Sequence, residues 1–249
     1  MKKVIMTNKY MYFVANWKMF GNFKSLNQLD KVITFVKKFK KNKTKLIYCL
    51  PATLINTVSK KLAFTTIDVG AQNCHQGLNY GANTGQINSY MLKDAGAKYI
   101  ILGHSENRQL GEDNNLINLK IRSSIKSGLK IIFCIGETLS QKRKKNTKKI
   151  LSKQIIQGLK NVSNKRNIII AYEPVWAIGS GLIPKETEIF DIVSFIKNKV
   201  KGSKVLYGGS VNTNNINLLK KIDNVDGFLI GGASQNPNNF IDIIKKTFI

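Results

Sequence analysis

The segment NIIIAYEPVWAIGSG, residues 167–181, joins an apolar run to an abrupt change of composition. The run ends at Glu173, and Pro174 follows at once. Continuous apolar runs of this kind are typical of strands buried on both faces of a parallel sheet. Gly179 and Gly181 then leave the chain conformationally free. The segment therefore predicts a buried strand that carries a carboxylate at its C-terminal end, followed by a loop that is stiff at its start and loose beyond.

Seven more short apolar runs recur along the chain, and most are continuous rather than alternating: YFVAN (12–16), KLIYCL (45–50), TIDVGAQ (66–72), KYIILG (98–103), KIIFCIGE (130–137), KVLYGG (204–209) and DGFLIGG (226–232). Between them lie stretches with helical spacing, such as Leu26, Leu29, Val32, Ile33 and Val36, or Ile189, Ile192, Val193 and Ile196. Eight alternations without a break in composition favour one α/β barrel of eight parallel strands, with a doubly wound open sheet as the alternative. The 249 residues match one such barrel, so we expect a single domain over 1–249.

Composition excludes several classes of protein. Hydrophobic residues make up 43% and charged residues 22%, as in an ordinary globular chain, and no apolar run is long enough for a membrane span. Asn8 and Lys9 interrupt the N-terminal apolar stretch, which argues against a signal peptide. The three cysteines are widely spaced and form no CxxC pair, so we expect neither a metal site nor disulfides, and a reducing compartment fits.

The formal net charge of +26 raises the possibility of a nucleic-acid partner. Arginine, the residue that most often forks onto phosphates and bases, occurs only at Arg108, Arg122, Arg143 and Arg166. The lysines are scattered among asparagines and isoleucines, which is what drift in an AT-rich genome produces. The one dense run, KRKKNTKK (142–149), is predicted to be the solvated start of a surface helix. We therefore expect no nucleic-acid partner.

Polar residues and glycine pairs follow the predicted strands at their C-terminal ends: Asn16, Lys18, Gln72, Asn73, His75, His104, Ser105, Glu106, Glu137, Glu173, Gly208, Gly209, Ser210, Gly231 and Gly232. In a parallel barrel these ends surround one mouth, where active sites are built. Each member alone has an ordinary explanation, as a solvated lysine, a helix cap, a strand stop or a turn. Together they place an acid, an imidazole, an ammonium and two glycine loops at one rim.

This combination predicts proton transfer next to a phosphate. Glycine loops after the seventh and eighth strands free backbone amides to bind an anion. A carboxylate can remove a proton from a carbon beside a carbonyl, while a neutral imidazole and an ammonium stabilise the enediolate that forms. The cluster lacks paired aspartates and a cysteine–histidine set, so it requires no metal.

Seven motifs, in order along the chain, resemble the triosephosphate isomerase family: NWKMFG (16–21), AQNCHQ (71–76), MLKDAGAKYIILGHSE (91–106), CIGET (134–138), AYEPVWAIGSG (171–181), YGGSV (207–211) and GGAS (231–234). The resemblance runs from about residue 12 to the C-terminus and leaves residues 1–10 as a short N-terminal extension. It implies a TIM barrel that interconverts dihydroxyacetone phosphate and D-glyceraldehyde 3-phosphate through an enediol(ate), in glycolysis and gluconeogenesis. It also implies a cytoplasmic homodimer without cofactor or metal.

The resemblance assigns roles residue by residue. Glu173 resembles the base that moves the proton, and His104 the neutral electrophile that polarises the carbonyl. Lys18 resembles the ammonium that binds substrate and Asn16 its support, while Glu106 matches the family's second carboxylate. The remaining assignments are the phosphate grip of Gly179, Ser210, Gly231 and Gly232, the lid hinge of Pro174, Val175 and Trp176, and a lid tip over 177–181.

The chain also departs from the family pattern. Asn107 precedes Arg108 where two arginines are usual, and Gln86 ends the loop GANTGQ (81–86) where an acid is usual. Thr84 in that loop resembles the dimer contact that enters the partner's site. Pro184 stands where the family has an amide that bonds the tyrosine of YGGS, and a proline has no N–H to donate.

Two other functions predict a different set of residues. An inactive barrel that serves as a basic, nucleic-acid-binding scaffold predicts losses among Lys18, His104 and Glu173, and none is lost. A different barrel enzyme acting on a phosphosugar would keep the glycine loops without NWK, HSE and YEPVW together.

Overall fold

The computed structural model describes residues 9–39, 43–163, 165 and 167–248. Eight parallel strands close in sequence order into a barrel, each bonded to its two neighbours. The strands are β1 Met11–Asn16, β2 Thr44–Leu50, β3 Asp68–Ala71, β4 Tyr99–Leu102, β5 Lys130–Ile135, β6 Ile168–Tyr172, β7 Lys204–Tyr207 and β8 Gly227–Ile230. The predicted barrel is confirmed, and closure between β8 and β1 excludes the doubly wound open sheet.

Each of the eight apolar runs overlaps one strand, and most of the polar residues that end the runs lie just beyond the ladder, whereas Asn16 is the last residue of β1. β6, for example, ends at Tyr172, so that Glu173 is the first residue of the following loop. The Glu173 amide still donates to the Ile135 carbonyl at 2.8 Å, which fixes the start of that loop. The functional residues are thus held by rigid strand ends.

Helices follow the strands and cover the barrel: α1 Gln28–Lys38, α2 Ala52–Leu62, α3 Ser89–Asp94, α4 Ser105–Gln109, α5 Asn114–Lys126, α6 Leu139–Arg143, α7 Thr147–Gly158, α8 Glu186–Lys199, α9 Ile216–Leu219 and α10 Pro237–Phe248. The helical spacing from Leu26 to Val36 predicts a helix, and α1 contains all of these apolar residues except the first. Leu26 lies in a preceding 3-10 helix, Phe23–Asn27, because Asn22 and Ser25 form a capping box there.

Strand side chains separate into two buried layers, as the pleat requires. One layer fills the barrel interior with side chains from every strand except β3, among them Val14, Ile101 and Leu229. The other lies between the strands and the helices, where Phe13 packs with Phe228. The strands that carry the site are therefore packed on both of their faces.

Some predictions need correction or lie outside the described residues. The run 142–149 is not the start of one surface helix: α6 ends at Arg143, and α7 begins only at Thr147. Residues 1–8 of the predicted N-terminal extension are outside the described part. Within that part, no helix is long and apolar enough to cross a membrane, and Cys49, Cys74 and Cys134 are buried and free.

Candidate active site

The loop after β1 places Lys18 by a strained backbone. Lys18 has φ of 54°, a left-handed value that non-glycine residues adopt at a cost of about 1–3 kcal/mol. The Asn16 side-chain oxygen accepts the Lys18 amide at 3.0 Å and supports this conformation. The Gln72 amide group approaches the same oxygen at 3.4 Å. Lys18 Nζ then donates to Glu106 Oε1 at 2.6 Å.

His104 follows β4 and caps the short helix α4. Its Nδ1 accepts the backbone amide of Glu106 at 3.3 Å, so Nδ1 carries a lone pair rather than a proton. The 3.5 Å approach of Glu106 Oε2 to the same nitrogen is therefore not an ion pair. The neutral tautomer that results has its proton on Nε2, which lies 3.2 Å from Glu173 Oε1.

Glu173 presents a carboxylate that is only 2% exposed. Its Oε2 accepts the Ser105 amide at 3.3 Å, while Oε1 faces His104. Burial raises the pKa of Glu173 above its ordinary value, although His104, the Ser105 amide and Lys18 oppose the shift. A raised pKa means that the Glu173 carboxylate binds a proton more readily, which suits general acid–base catalysis.

One cavity of about 220 Å³ opens at the mouth of the barrel and unites most of the predicted residues. Its walls come from the loops after β1, β4, β6, β7 and β8, and include Asn16, Lys18, His104, Glu173, Gly179, Ser210, Gly231 and Gly232. A cavity of this size accommodates a small molecule. The residues predicted to act on the substrate and those predicted to grip its phosphate thus lie around the same space.

The segment after Glu173 combines a hydrogen-bonded turn with two glycines of positive φ. Pro174 precedes a 3-10 helix, Val175–Ala177, and the Trp176 indole N–H donates to Glu137 Oε1 at 3.0 Å. Ala177 is fully buried, Ile178 is partly buried, and Gly179, Ser180 and Gly181 are exposed. Positive φ values at Gly179 (68°) and Gly181 (75°) give this part a shape that other residues rarely adopt.

Several sequence candidates do not line the cavity, among them Glu106, His75 and Thr84. Glu106 does not line it but reaches it through Lys18. His75 accepts the Gly77 amide at Nδ1 in the loop after β3, and Thr84 is exposed in the same loop. Among the residues described, no three His, Cys, Asp or Glu side chains are grouped so that they could hold a metal ion.

The role of Glu137 was not predicted from the sequence. The sequence shows a carboxylate after the fifth run, but its position alone indicates no function. In the structure Glu137 is fully buried and accepts both the Trp176 N–H and the Tyr172 hydroxyl, the latter at 3.3 Å. Burial raises its pKa, while the bonds from Trp176 and Tyr172 oppose the shift. The signal available beforehand was the pairing of a strand-end acid with the tryptophan of the next loop.

A barrel that surrounds a small cavity with a buried base, a neutral imidazole, an ammonium and glycine loops defines an enzyme for proton transfer beside an anionic group. Comparisons with known proteins agree. The triosephosphate isomerase family matches residues 11–247. The triosephosphate isomerase of Thermodesulfovibrio yellowstonii is 41% identical over 94% of this chain and 98% of its own, and that of Mesorhizobium japonicum is 38% identical over 93% of each.

A crystal structure of triosephosphate isomerase from Bartonella henselae is similar in fold as well. It has a TM-score of 0.86 and 32% identity over 95% of this chain and 98% of that one. The chain belongs to the triosephosphate isomerase family. It is an intramolecular aldose–ketose isomerase.

Proposed function

We propose that the cavity at the barrel mouth is the active site, and that Glu173 is its proton carrier. The reaction is the interconversion of dihydroxyacetone phosphate and D-glyceraldehyde 3-phosphate. The observation that supports the site best is the buried Glu173 carboxylate facing the Nε2 of a neutral His104 at 3.2 Å. Base and electrophile already point at one space, and that space has room for a triose.

The proton path follows from this arrangement. Glu173 takes a proton from C1 of the ketone, and the C1–H electron pair forms the C1–C2 double bond of an enediolate. The oxygen on C2 gains negative charge, which the Nε2–H of His104 and the Lys18 ammonium stabilise by hydrogen bonding. Glu173 then returns the proton to C2 as the oxygens exchange a proton, and the aldehyde forms. One carboxylate acts as base and as acid, so no cofactor is needed.

The phosphate is assigned to the glycine-rich side of the cavity. Gly179, Ser210, Gly231 and Gly232 line it there, and we assign their backbone amides to the phosphate oxygens. Lys18 supplies a positive charge between this side and the reacting carbons. Closure of 178–181 over the bound phosphate excludes water, which strengthens each of these interactions.

We also propose the finer points that the resemblance implied. The barrel acts as one catalytic domain in the cytoplasm, in glycolysis and gluconeogenesis, where three buried thiols remain reduced. The active form is a homodimer that uses the loop around Thr84. Large apolar side chains support this: Met19 is 96% exposed beside Lys18, and Tyr80 in the loop of Thr84 is 75% exposed. A second copy of the chain would bury such side chains.

A coupled enzymatic assay tests the function directly. We expect turnover of dihydroxyacetone phosphate and of glyceraldehyde 3-phosphate, and far slower turnover of dihydroxyacetone, which lacks the phosphate. Absence of turnover with either phosphate by the folded wild-type chain would overturn the proposed function.

Assembly is tested by Thr84→Arg, which places a charge at the proposed interface. We expect a monomer with weak activity, as measured by light scattering and the coupled assay. Thr66→Arg changes an exposed threonine before β3 and serves as the control that should stay dimeric. A stable, fully active wild-type monomer would contradict the dimer.

A further inference from the structure

Lys142 contacts the lid hinge from outside the active site. It lies in α6, within the basic run that was predicted to be solvated. Its ammonium stands 3.7 Å from the centroid of the Trp176 ring and 2.5 Å from Glu188 Oε1 on α8. Its side chain is 28% exposed, unlike the exposed neighbours in the run. One lysine therefore joins α6, the hinge and the first turn of α8.

The Trp176 indole is held in two directions. Its edge donates to the fully buried Glu137, and its face is covered by the Lys142 ammonium. A cation over an aromatic face is attracted by the electrons of the ring, and the hydrogen bond fixes the in-plane orientation. Glu137 and Glu188 both attract Lys142, so the ammonium stays over the ring. Together these contacts define a single position for the hinge.

That position belongs to a lid whose tip is uncovered. Gly179, Ser180 and Gly181 are exposed, and the cavity beneath them is open to solvent. A contact that is made in one of two lid positions shifts the equilibrium towards that position. Hinge contacts that are made only while the lid is open would thus oppose closure over a bound phosphate.

We propose that Lys142 is a positioning residue that holds Trp176 in the open-lid arrangement and thereby limits how tightly the lid closes on phosphate. The proposal rests on the proposed function of 174–181 as a lid. Glu188 has a supporting role, because it keeps the Lys142 ammonium over the ring. Neither residue lines the cavity, so their effects must pass through the hinge.

The test replaces the cation but keeps the length of the side chain. In Lys142→Met we expect KM for dihydroxyacetone phosphate, and the inhibition constant of inorganic phosphate, to fall about two- to fivefold, the scale of one partly exposed cation–π contact. The value of kcat should stay level or fall, because a lid that favours closure releases product no faster. Lys142→Arg should restore wild-type values, and Glu188→Gln should show a weaker form of the methionine effect.

Two controls keep the result specific. Lys144→Met removes an exposed charge two residues away and should leave KM unchanged. In a Trp17→Phe background Trp176 is the remaining tryptophan, so its fluorescence reports the hinge with and without inorganic phosphate. Lys142→Met should shift the phosphate-free signal towards the phosphate-bound one.

The inference is wrong if Lys142→Met leaves KM and the phosphate inhibition constant unchanged, or raises them, or if Lys142→Arg behaves like Lys142→Met. Either result, obtained alongside an active wild-type enzyme, would leave the proposed function standing. Failure of the wild-type enzyme itself would instead point to the proposed function.

Discussion

The bottom of the barrel and its mouth both bury carboxylates, but they treat the charge in opposite ways. At the bottom, Asp226 precedes β8 and has a side chain that is 3% exposed. Lys197 lies 2.8 Å from it, Lys9 3.4 Å and Lys204 3.8 Å, and the Val205 amide donates to it at 2.9 Å. These partners overcome the cost of burial, so the pKa of Asp226 is lowered.

Asp68, at the start of β3, repeats this arrangement with Lys45 and with Lys98, the latter at 2.9 Å, and its pKa is lowered as well. Glu173 at the mouth is as deeply buried, yet it forms no ion pair with a lysine or arginine among the described residues, and its pKa is raised. The ion-paired carboxylates Asp226 and Asp68 stabilise the fold. Glu173, which has no such cation beside it, keeps a raised pKa and can take part in proton transfer.

The largest expected effect comes from removing the acid at the mouth. Glu173→Gln keeps the shape of the side chain but can no longer accept a proton. We expect a folded protein whose kcat falls by about 10²–10⁴-fold or more, since a general base contributes on that scale and Glu173 is the proposed proton carrier. Circular dichroism and the coupled assay measure both properties. Near wild-type turnover by the folded variant would contradict the assignment.

Removing the acid at the bottom should instead affect stability. Asp226→Asn leaves three ammonium groups facing a neutral side chain, and we expect a loss of about 1–3 kcal/mol in the free energy of unfolding with kcat little changed. Urea unfolding at neutral pH measures the loss. Asp30→Asn is the matched control, because Asp30 and Lys61 form an exposed pair, which is worth at most about 1 kcal/mol. Equal losses of unfolding free energy in the two variants would show that the buried ion pairs of Asp226 stabilise the protein no more than an exposed pair does.

The pH dependence of these effects should have opposite signs. A lowered folded pKa means that Asp226 stabilises the protein above its unfolded pKa of about 3.9, and that this stability is lost as the pH falls through the folded pKa. A raised folded pKa means that ionised Glu173 destabilises the protein at high pH, and that the cost disappears as the pH falls towards its unfolded pKa of about 4.3. Glu173→Gln should therefore raise the free energy of unfolding at pH 7 and change little near pH 4. A stability loss at pH 7 would show that the carboxylate is stabilising.

The sequence predicted the mouth better than the bottom, for a physical reason. Strand ends are marked locally, by apolar runs that stop at Glu173 or His104, and the topology of a barrel brings all such ends together. Asp226 and its lysines carry no comparable signal, since Lys9 and Asp226 are distant along the chain and meet only when β8 closes on β1. Lys142 and Trp176 likewise come from different elements and meet only in the folded chain. Contacts between distant elements depend on how the strands align with one another. The hydrophobic periodicity of the sequence does not predict that alignment.

The smallest expected effect concerns Tyr207, the last residue of β7 at the mouth. Its hydroxyl is buried and has no hydrogen-bond partner among the residues that the structure describes. The residue whose amide would bond it according to the family resemblance is Pro184, which is itself buried and has no N–H. The hydroxyl thus adds a desolvated polar group to the mouth without a compensating bond, in contrast to the saturated acids of the bottom.

We therefore expect Tyr207→Phe to change kcat/KM less than about twofold and to leave stability equal or higher, because deleting a partnerless hydroxyl forfeits no hydrogen bond. Ser210→Ala is the comparison. By the same resemblance we expect its hydroxyl to bond the amide of Gly181 when the lid is closed, so its loss should lower kcat/KM roughly tenfold. Pro184→Ala restores the missing donor, and in that background Tyr207→Phe should become costly. Steady-state kinetics of the wild type, Tyr207→Phe, Pro184→Ala and their double variant form a double-mutant cycle that measures the coupling. If Tyr207→Phe costs as much as Ser210→Ala in the native sequence, the tyrosine has a partner in the closed lid other than the amide at 184.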